Sequence, residues 1–109
     1  MSDAQNFVDE KIGTHKVAVF SKSYCPFCHK AKAALESFKY KPNEFYWIEI
    51  ENRKDCQEIQ DYLLKITGER TVPRVFINGR FFGGGNETER AYLDGSLEKT
   101  LIDVGALQS

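Results

Sequence analysis

The sequence predicts one α/β domain over residues 1–109, built on a mixed four-stranded sheet with helices on both faces. An apolar run at residues 17–20 precedes a helical pattern and then a second β-rich run at residues 45–50. This succession predicts a right-handed strand–helix–strand unit with parallel strands. Asn78-Gly79 separates two further β-rich runs, which indicates a hairpin with a type I′ turn. With 41% hydrophobic residues, the chain can enclose one core.

The first half of the chain is predicted to fold as helix, strand, helix and strand. Residues 3–12 have a short amphipathic pattern, and the uninterrupted run at residues 17–20 is typical of a strand covered on both faces. Pro26 is preorganised for a first helical position, so the second helix is expected to begin there. It is expected to end before Lys41-Pro42, because proline cannot continue a helix. Its expected core-facing residues are Phe27, Ala31, Ala34, Leu35 and Phe38.

A third helix is predicted after the second strand. Asp55 and Glu58 have the spacing of a capping box, and Gly68 is a C-terminal stop signal. The apolar residues of this helix that share one face are Ile59, Tyr62, Leu63 and Ile66.

Two short helices are predicted after the hairpin. Asn86 with Glu89 is expected to cap the first of them, and Asp94-Gly95 to end it. Ser96 is expected to cap the last helix. The predicted order is therefore α-β-α-β-α-β-β-α-α.

Composition and charge exclude several classes of protein. Fifteen basic and sixteen acidic residues give a net charge of −1, so no overall field attracts the chain to nucleic acid or to a membrane. No apolar run reaches transmembrane length, and the N-terminus lacks the pattern of a signal peptide. Three cysteines are too few for a secreted disulfide scaffold. We expect a cytoplasmic protein, or one imported with a presequence that is then cleaved.

The segment Cys25-Pro26-Phe27-Cys28 is the strongest functional signal. With Pro26 at the first helical position, Cys25 falls at the N-cap. A sulfur there lies against unpaired backbone N–H groups and the positive end of the helix dipole, which both favour the thiolate. Cys28 lies one turn further on the same side, within reach of a disulfide. The segment therefore predicts a redox-active dithiol.

A C-x-x-C pair is also found in zinc sites and at haem attachment points. Zinc needs about four ligands, and the cysteine and histidines that remain, Cys56, His15 and His29, form no second pair. His29 completes the haem pattern C-x-x-C-H, but the only methionine is Met1 and the predicted fold is a sheet. We therefore interpret His29 as a solvated surface residue near the thiols. Cys56 is interpreted as an incidental, partly exposed thiol.

Three other features have both an ordinary and a functional interpretation. Thr71-Val72-Pro73 is either a trans turn or a cis X-Pro bond that leaves the Val72 backbone free to pair with an extended peptide. Residues 83–86, three glycines and an asparagine before a helix, are either a flexible exit from the hairpin or an anion site. Lys22 is either solvated or a ligand for a carboxylate. Local sequence leaves each choice open.

Taken together, the motifs resemble the dithiol glutaredoxins (thioltransferases) of the thioredoxin superfamily over essentially the whole chain. The matching segments are FSKSYCPFC at 20–28, EIQDYL at 58–63, TVPRVFING at 71–79 and FGG at 82–84. Because 82–84 continues the third motif, these are three motifs in the family's order, which is highly specific. The resemblance implies a thioredoxin-like fold. Two positions depart from the usual family pattern. Phe27 replaces the usual tyrosine, and Asn86-Glu87 replaces the usual Ser-Asp.

The resemblance implies a role for each site residue. Cys25 is the nucleophile, Cys28 the resolving thiol and Pro73 the cis-proline, with no metal ligand. The glycine carboxylate of glutathione is assigned to Lys22 and Gln60, the cysteinyl backbone to Val72, and the γ-glutamyl end to Gly85, Asn86 and Glu87. The implied glutathione-binding residues are Lys22, Tyr24, Gln60, Thr71, Val72, Pro73, Gly84, Gly85, Asn86 and Glu87.

The implied function is glutathione-dependent thiol–disulfide exchange, in electron transport and cell redox homeostasis. Glutathione is the co-substrate, with no tightly bound cofactor. The expected partners are glutathionylated or disulfide-bonded proteins and, through oxidised glutathione, glutathione reductase, but neither nucleic acid nor membrane. The chain is expected to be a monomer. The alternative is a dimer that binds a [2Fe–2S] cluster through Cys25 and two glutathiones, against which Pro26 argues within the family.

Overall fold

The computed structural model describes residues 2–109, which form five α-helices and four β-strands in the predicted order. The helices are α1 (Asp3–Thr14), α2 (Pro26–Glu36), α3 (Cys56–Thr67), α4 (Gly85–Asp94) and α5 (Ser96–Asp103). The strands are β1 (Val17–Ser21), β2 (Phe45–Glu49), β3 (Arg74–Ile77) and β4 (Arg80–Gly83).

The four strands form one mixed sheet in the order β2-β1-β3-β4. β1 is parallel to β2 and antiparallel to β3, and β3 pairs with β4 as a hairpin. Asn78 and Gly79 have φ angles of 53° and 79°, as a type I′ turn requires. The predicted mixed sheet, parallel unit and hairpin are therefore confirmed.

The two faces of the sheet pack against different helices, because successive strand residues point to opposite sides. β1 is buried at all five positions, as its uninterrupted apolar run predicts. On one face Val17, Val19, Val75 and Ile77 pack with Ala31 and Leu35 of α2 and Leu97 and Leu101 of α5. On the other face Ala18, Phe20 and Phe76 pack with Val8 of α1 and with Ile59 and Leu63 of α3.

The capping box predicted for α3 is wrong. Asp55 occupies the N-cap position, but its side chain makes no capping hydrogen bond. Its carboxylate accepts instead from Arg53, at 2.8 Å from Nε and 3.1 Å from Nη2. Gly68 ends the helix in the left-handed conformation (φ 92°), as predicted. Ile66 lies on the exposed side of the helix rather than on its core face.

The caps predicted for α4 and α5 are also wrong. α4 begins at Gly85, because the Glu87 carboxylate accepts from the Gly84 N–H (2.7 Å) and makes Gly84 the N-cap. Gly95 (φ 86°) ends α4 as predicted, but it is also the N-cap position of α5. Ser96 is therefore the first residue of α5, and its N–H donates to Asp94 (2.8 Å).

α2 begins at Pro26 with Cys25 as its N-cap, as predicted. Phe27 is 48% exposed, contrary to the expectation that it faces the core. The buried stripe of the helix starts one residue later, at Cys28, and continues through Ala31. Phe27 instead lies beside the start of α4.

The starts of α2 and α4 are in close contact at Gly85. A Cβ at this position would collide with the Phe27 carbonyl oxygen and would lie 2.8 Å from the Phe27 Cβ. Real Cβ atoms almost never approach so closely, and the neighbour here is backbone, which yields little. Glycine at position 85 therefore allows the N-terminus of α4 to lie beside that of α2.

We expect Gly85→Ala to lower the free energy of unfolding by about 1–3 kcal/mol, the usual cost of inserting a methyl group into a packed contact. Gly13→Ala is the matched control, since a Cβ added there would meet no atom within 4 Å beyond its chain neighbours and its own helix backbone. In α1 this change should raise stability by roughly 0.5–1 kcal/mol, because alanine favours a helix more than glycine does. Urea denaturation measures both, and equal effects would contradict the proposed contact.

Candidate active site

The two cysteines of the C-x-x-C segment lie where β1 gives way to α2. β1 ends at Ser21, and the Cys25 N–H donates to the Lys22 carbonyl (3.2 Å), which closes a turn. The Cys25 sulfur accepts from the Cys28 N–H at 3.4 Å. This contact confirms the prediction that the first cysteine caps the helix through its sulfur.

The Cys25 sulfur faces the segment that precedes β3. The Val72–Pro73 peptide bond is cis, which decides between the two alternatives left open by the sequence. The Cys25 thiol lies 3.5 Å from the Val72 carbonyl oxygen and donates to it. A partly exposed sulfur and an accessible strand end therefore lie side by side.

Burial separates the two thiols chemically. Cys28 is fully buried, whereas Cys25 is partly exposed, and both are free thiols. Removal from water raises the pKa of Cys28 to about 11, although contacts with Ser21 and Lys22 oppose the shift. Cys28 is therefore protonated at neutral pH.

A cleft of about 350 Å³ begins beside this segment and runs to the start of α4. Its lining is formed by Phe27, by Glu69 and residues 71–74, and by residues 84–87. The α4 N-terminus provides unpaired N–H groups and the positive end of a helix dipole, which suit an anion. The cleft thus runs from the segment before β3 to the N-terminus of α4.

The protein-family model described as "Glutaredoxin" matches residues 17–82, which is more than half of the chain. The matched range includes Cys25, Cys28 and Pro73. The chain belongs to the glutaredoxin family. It is therefore a glutathione-dependent thiol–disulfide oxidoreductase.

Known glutaredoxins resemble this one over nearly its whole length. Glutaredoxin-C8 of Oryza sativa subsp. japonica is 46% identical over 100 residues, 91% of this chain and 73% of that protein. The crystal structure of oxidised glutaredoxin 2 from Chlamydomonas reinhardtii has a TM-score of 0.89 at 50% identity, with 96% of both chains covered. The buckwheat glutaredoxin–glutathione complex has a TM-score of 0.86 at 32% identity and covers 96% and 93% of the two chains. These structures confirm the thioredoxin-like fold.

Most of the predicted glutathione-binding residues of this glutaredoxin lie together. The cleft lining contains Thr71, Val72, Pro73, Gly84, Gly85, Asn86 and Glu87. Lys22, Tyr24 and Gln60 lie outside that lining. Lys22 and Tyr24 belong to the turn before Cys25, where Tyr24 is 67% exposed.

Gln60 is buried, at 6% exposure. Its Nε2 donates to the Arg70 carbonyl (2.9 Å), and its Oε1 accepts from the Cys56 sulfur (3.5 Å). One N–H of the amide thus remains for another acceptor. Cys56 is itself only 8% exposed, so the expectation of a partly exposed thiol is wrong.

Arg74 is a cleft residue that sequence reasoning missed. It is 6% exposed, its Nε donates to the Pro73 carbonyl (3.1 Å), and its Nη2 lies 3.7 Å from a carboxylate oxygen of Glu69. Its guanidinium also lies 4.8 Å from the centre of the Phe81 ring. Burial lowers the pKa of Arg74. The available signal was an arginine at the start of an otherwise apolar strand.

Residues 2–109 show neither a metal-binding cluster nor a membrane-spanning helix. In this range no three His, Cys, Asp or Glu side chains are grouped so that they would hold a metal ion. Nor does any of the described helices have the length and apolar character needed to cross a bilayer.

We expect iodoacetamide at pH 7 to modify Cys25 of the native protein well before Cys28. Cys25 is partly exposed, whereas Cys28 is buried and its raised pKa keeps it as the thiol. Fragment-ion mass spectrometry of the peptide 23–30 measures both positions. In denaturant, which removes the burial, the two should react alike. Equal labelling of the native protein would contradict the asymmetry of the dithiol.

Proposed function

We propose that Cys25 attacks the glutathionyl sulfur of a protein–glutathione mixed disulfide. The observation that carries this proposal is the position of the Cys25 sulfur, partly exposed at the start of α2 and 3.5 Å from the Val72 carbonyl beside the cleft. In this step a disulfide forms between Cys25 and glutathione. The protein thiolate leaves and takes a proton from solvent.

A second glutathione then attacks the glutathionyl sulfur on Cys25. Oxidised glutathione forms and the Cys25 thiolate leaves. For thiols in general, full ionisation at pH 7 raises the thiolate population by roughly 30-fold over a thiol of pKa about 8.5. A pKa near 4 lowers nucleophilicity by about 100-fold at a Brønsted slope near 0.45. For attack by a thiol, these two effects do not add to the rate. The Cys28 N–H, 3.4 Å from the Cys25 sulfur, instead stabilises that sulfur as it leaves.

Protein disulfides need Cys28 as a resolving thiol. Cys28 attacks the mixed disulfide on Cys25, forms the Cys25–Cys28 disulfide and releases the substrate thiol. Besides burial, the neighbouring Cys25 contributes to the raised pKa of Cys28. A mixed disulfide carries no charge on Cys25, so its formation removes the repulsion and favours ionisation of Cys28.

Glutathione is proposed to lie along the cleft. Within residues 2–109 the Val72 N–H has no hydrogen-bond partner, so it is available to the cysteinyl backbone. The γ-glutamyl carboxylate would meet the N–H groups of Gly85 and Asn86, with its amine on the carboxylate oxygen of Glu87 that Gly84 does not use. Lys22 and the free N–H of Gln60 would hold the glycine carboxylate, flanked by Tyr24 and Thr71. The glutathione complex of buckwheat glutaredoxin supports glutathione as the ligand.

We further propose a cytoplasmic monomer that acts on glutathionylated or disulfide-bonded proteins, in electron transport and redox homeostasis. Glutathione reductase with NADPH would recycle the oxidised glutathione. A net charge of −1 supports the absence of nucleic acid and membrane partners. No observation on residues 2–109 favours the [2Fe–2S] dimer, whose visible absorption would reveal it in freshly purified protein.

We expect Cys25→Ser to abolish glutathione-dependent reduction of a small mixed disulfide, because it removes the exposed nucleophile. Cys28→Ser should retain this reaction and lose reduction of protein disulfides that need a resolving thiol. An assay coupled to glutathione reductase measures the first reaction, and insulin reduction the second. Substantial activity in Cys25→Ser would show that another group is the nucleophile.

We expect Lys22→Glu to weaken glutathione use by about 1–3 kcal/mol, because a charge-assisted contact becomes a repulsion. The measurement is the apparent KM for glutathione in the coupled assay. Lys39→Glu is the matched control, since it makes the same charge change on an exposed residue after α2. An unchanged KM in Lys22→Glu, or an equal rise in the control, would remove Lys22 from the site.

A further inference from the structure

Ser23 lies two residues before Cys25, and other parts of the chain bind all three of its polar groups. Its N–H donates to Oε1 of Glu51 (3.2 Å), and its hydroxyl donates to Oε2 of the same carboxylate. Its carbonyl lies 2.7 Å from Nε2 of His29. A carbonyl only accepts hydrogen bonds, so Nε2 of His29 carries the hydrogen. We call these contacts the Ser23 clamp.

We propose that Glu51 and His29 are positioning residues, which hold the turn of Lys22 and Cys25 in place through Ser23. The proposal rests on the proposed function, in which Lys22 binds the glycine carboxylate of glutathione.

The two residues reach the turn from different elements of the fold. Glu51 follows β2, and His29 lies on α2 directly after Cys28. His29 also donates its backbone N–H to the Cys25 carbonyl (3.1 Å). One residue therefore contacts the turn at both Ser23 and Cys25, across the start of the helix.

Polar contacts determine the geometry of this turn, because apolar packing contributes little to it. Ser23 and Tyr24 are exposed, and Tyr24 is more exposed than Phe27, the other aromatic residue beside the dithiol. A segment with few buried apolar contacts opens easily unless hydrogen bonds hold it. Hydrogen bonds from Ser23 lower the pKa of Glu51, so its carboxylate is ionised and accepts from Ser23 at neutral pH.

The clamp affects Lys22 more than the sulfur of Cys25. That sulfur has its own contacts, with the Cys28 N–H and the Val72 carbonyl, and neither involves Ser23. Lys22 is adjacent to Ser23 in the chain. Loss of the clamp should therefore weaken substrate binding and leave the reactivity of Cys25 nearly unchanged.

The charge of Glu51 makes the inference sharply testable. After its hydrogen bonds with Ser23, the charge of Lys22 also lowers the pKa of Glu51, so the two charges attract each other. If Glu51 acted only through its charge, its removal would free Lys22 and lower the KM for an anionic substrate. The clamp predicts the opposite sign, because removal of Glu51 releases Ser23.

The test compares His29→Leu, Glu51→Ala, His29→Gln and Glu49→Ala in the coupled assay with a small glutathione mixed disulfide. We expect the first two to raise the KM for the mixed disulfide by about threefold or more, with kcat within about twofold. His29→Gln should restore the KM, since its amide can donate to the Ser23 carbonyl. Glu49→Ala removes the same charge from an exposed position of β2 and should leave the KM unchanged.

The rate of Cys25 alkylation without glutathione is the second measurement, and it should stay within about twofold in all four variants. The inference is overturned if the KM is unchanged in both His29→Leu and Glu51→Ala, or falls in Glu51→Ala. It is also overturned if His29→Gln is as impaired as His29→Leu, or if Glu49→Ala gives the same rise. A wild-type protein without glutathione-dependent turnover would instead overturn the proposed function.

Discussion

The contact between the Cys25 sulfur and the Cys28 N–H is the interaction on which the site depends. It exists because β1 ends at Ser21 and α2 begins at Pro26, which leaves Cys25 as the helix N-cap. β1 is buried between β2 and β3, so the end of this strand is fixed by the sheet. The antiparallel pairing of β3 with β1 brings the Val72 carbonyl to the same sulfur.

Burial then gives two identical thiols different environments. Cys25 is partly exposed at a helix end, whereas Cys28 is enclosed one turn further and its pKa is about 11. A thiol that stays protonated does not compete for the first disulfide, yet it is one turn from the sulfur that forms the mixed disulfide. The proposed order of the two attacks thus follows from the difference in burial.

The sequence was sufficient to predict features that depend on local chemistry. Pro26 predicted the helix start, Asn78-Gly79 the hairpin, and the apolar run of β1 its burial. The cap predictions failed because neighbouring side chains compete at similar energies. Arg53 binds the Asp55 carboxylate, and Glu87 binds the Gly84 N–H. Capping contacts are worth only about 1 kcal/mol, so such a competitor decides the outcome.

The cleft itself depends on contacts between distant segments. Local sequence marked Thr71-Val72-Pro73 and residues 83–86 only as possible sites, and the family resemblance assigned them to glutathione. They lie near each other because α4 packs closely on α2 at Gly85. Arg74 was missed because an arginine in a strand is usually solvated, whereas here it is buried at 6% exposure beside the cleft.

The most direct test of the account is a comparison of amide NMR spectra of Cys28→Ser before and after glutathione is attached to Cys25 as a stable mixed disulfide. If glutathione lies along the cleft, the largest shifts away from the turn at Cys25 should occur at the N–H groups of Val72, Gly85 and Asn86. Formation of the mixed disulfide without shifts at these three amides would contradict the account.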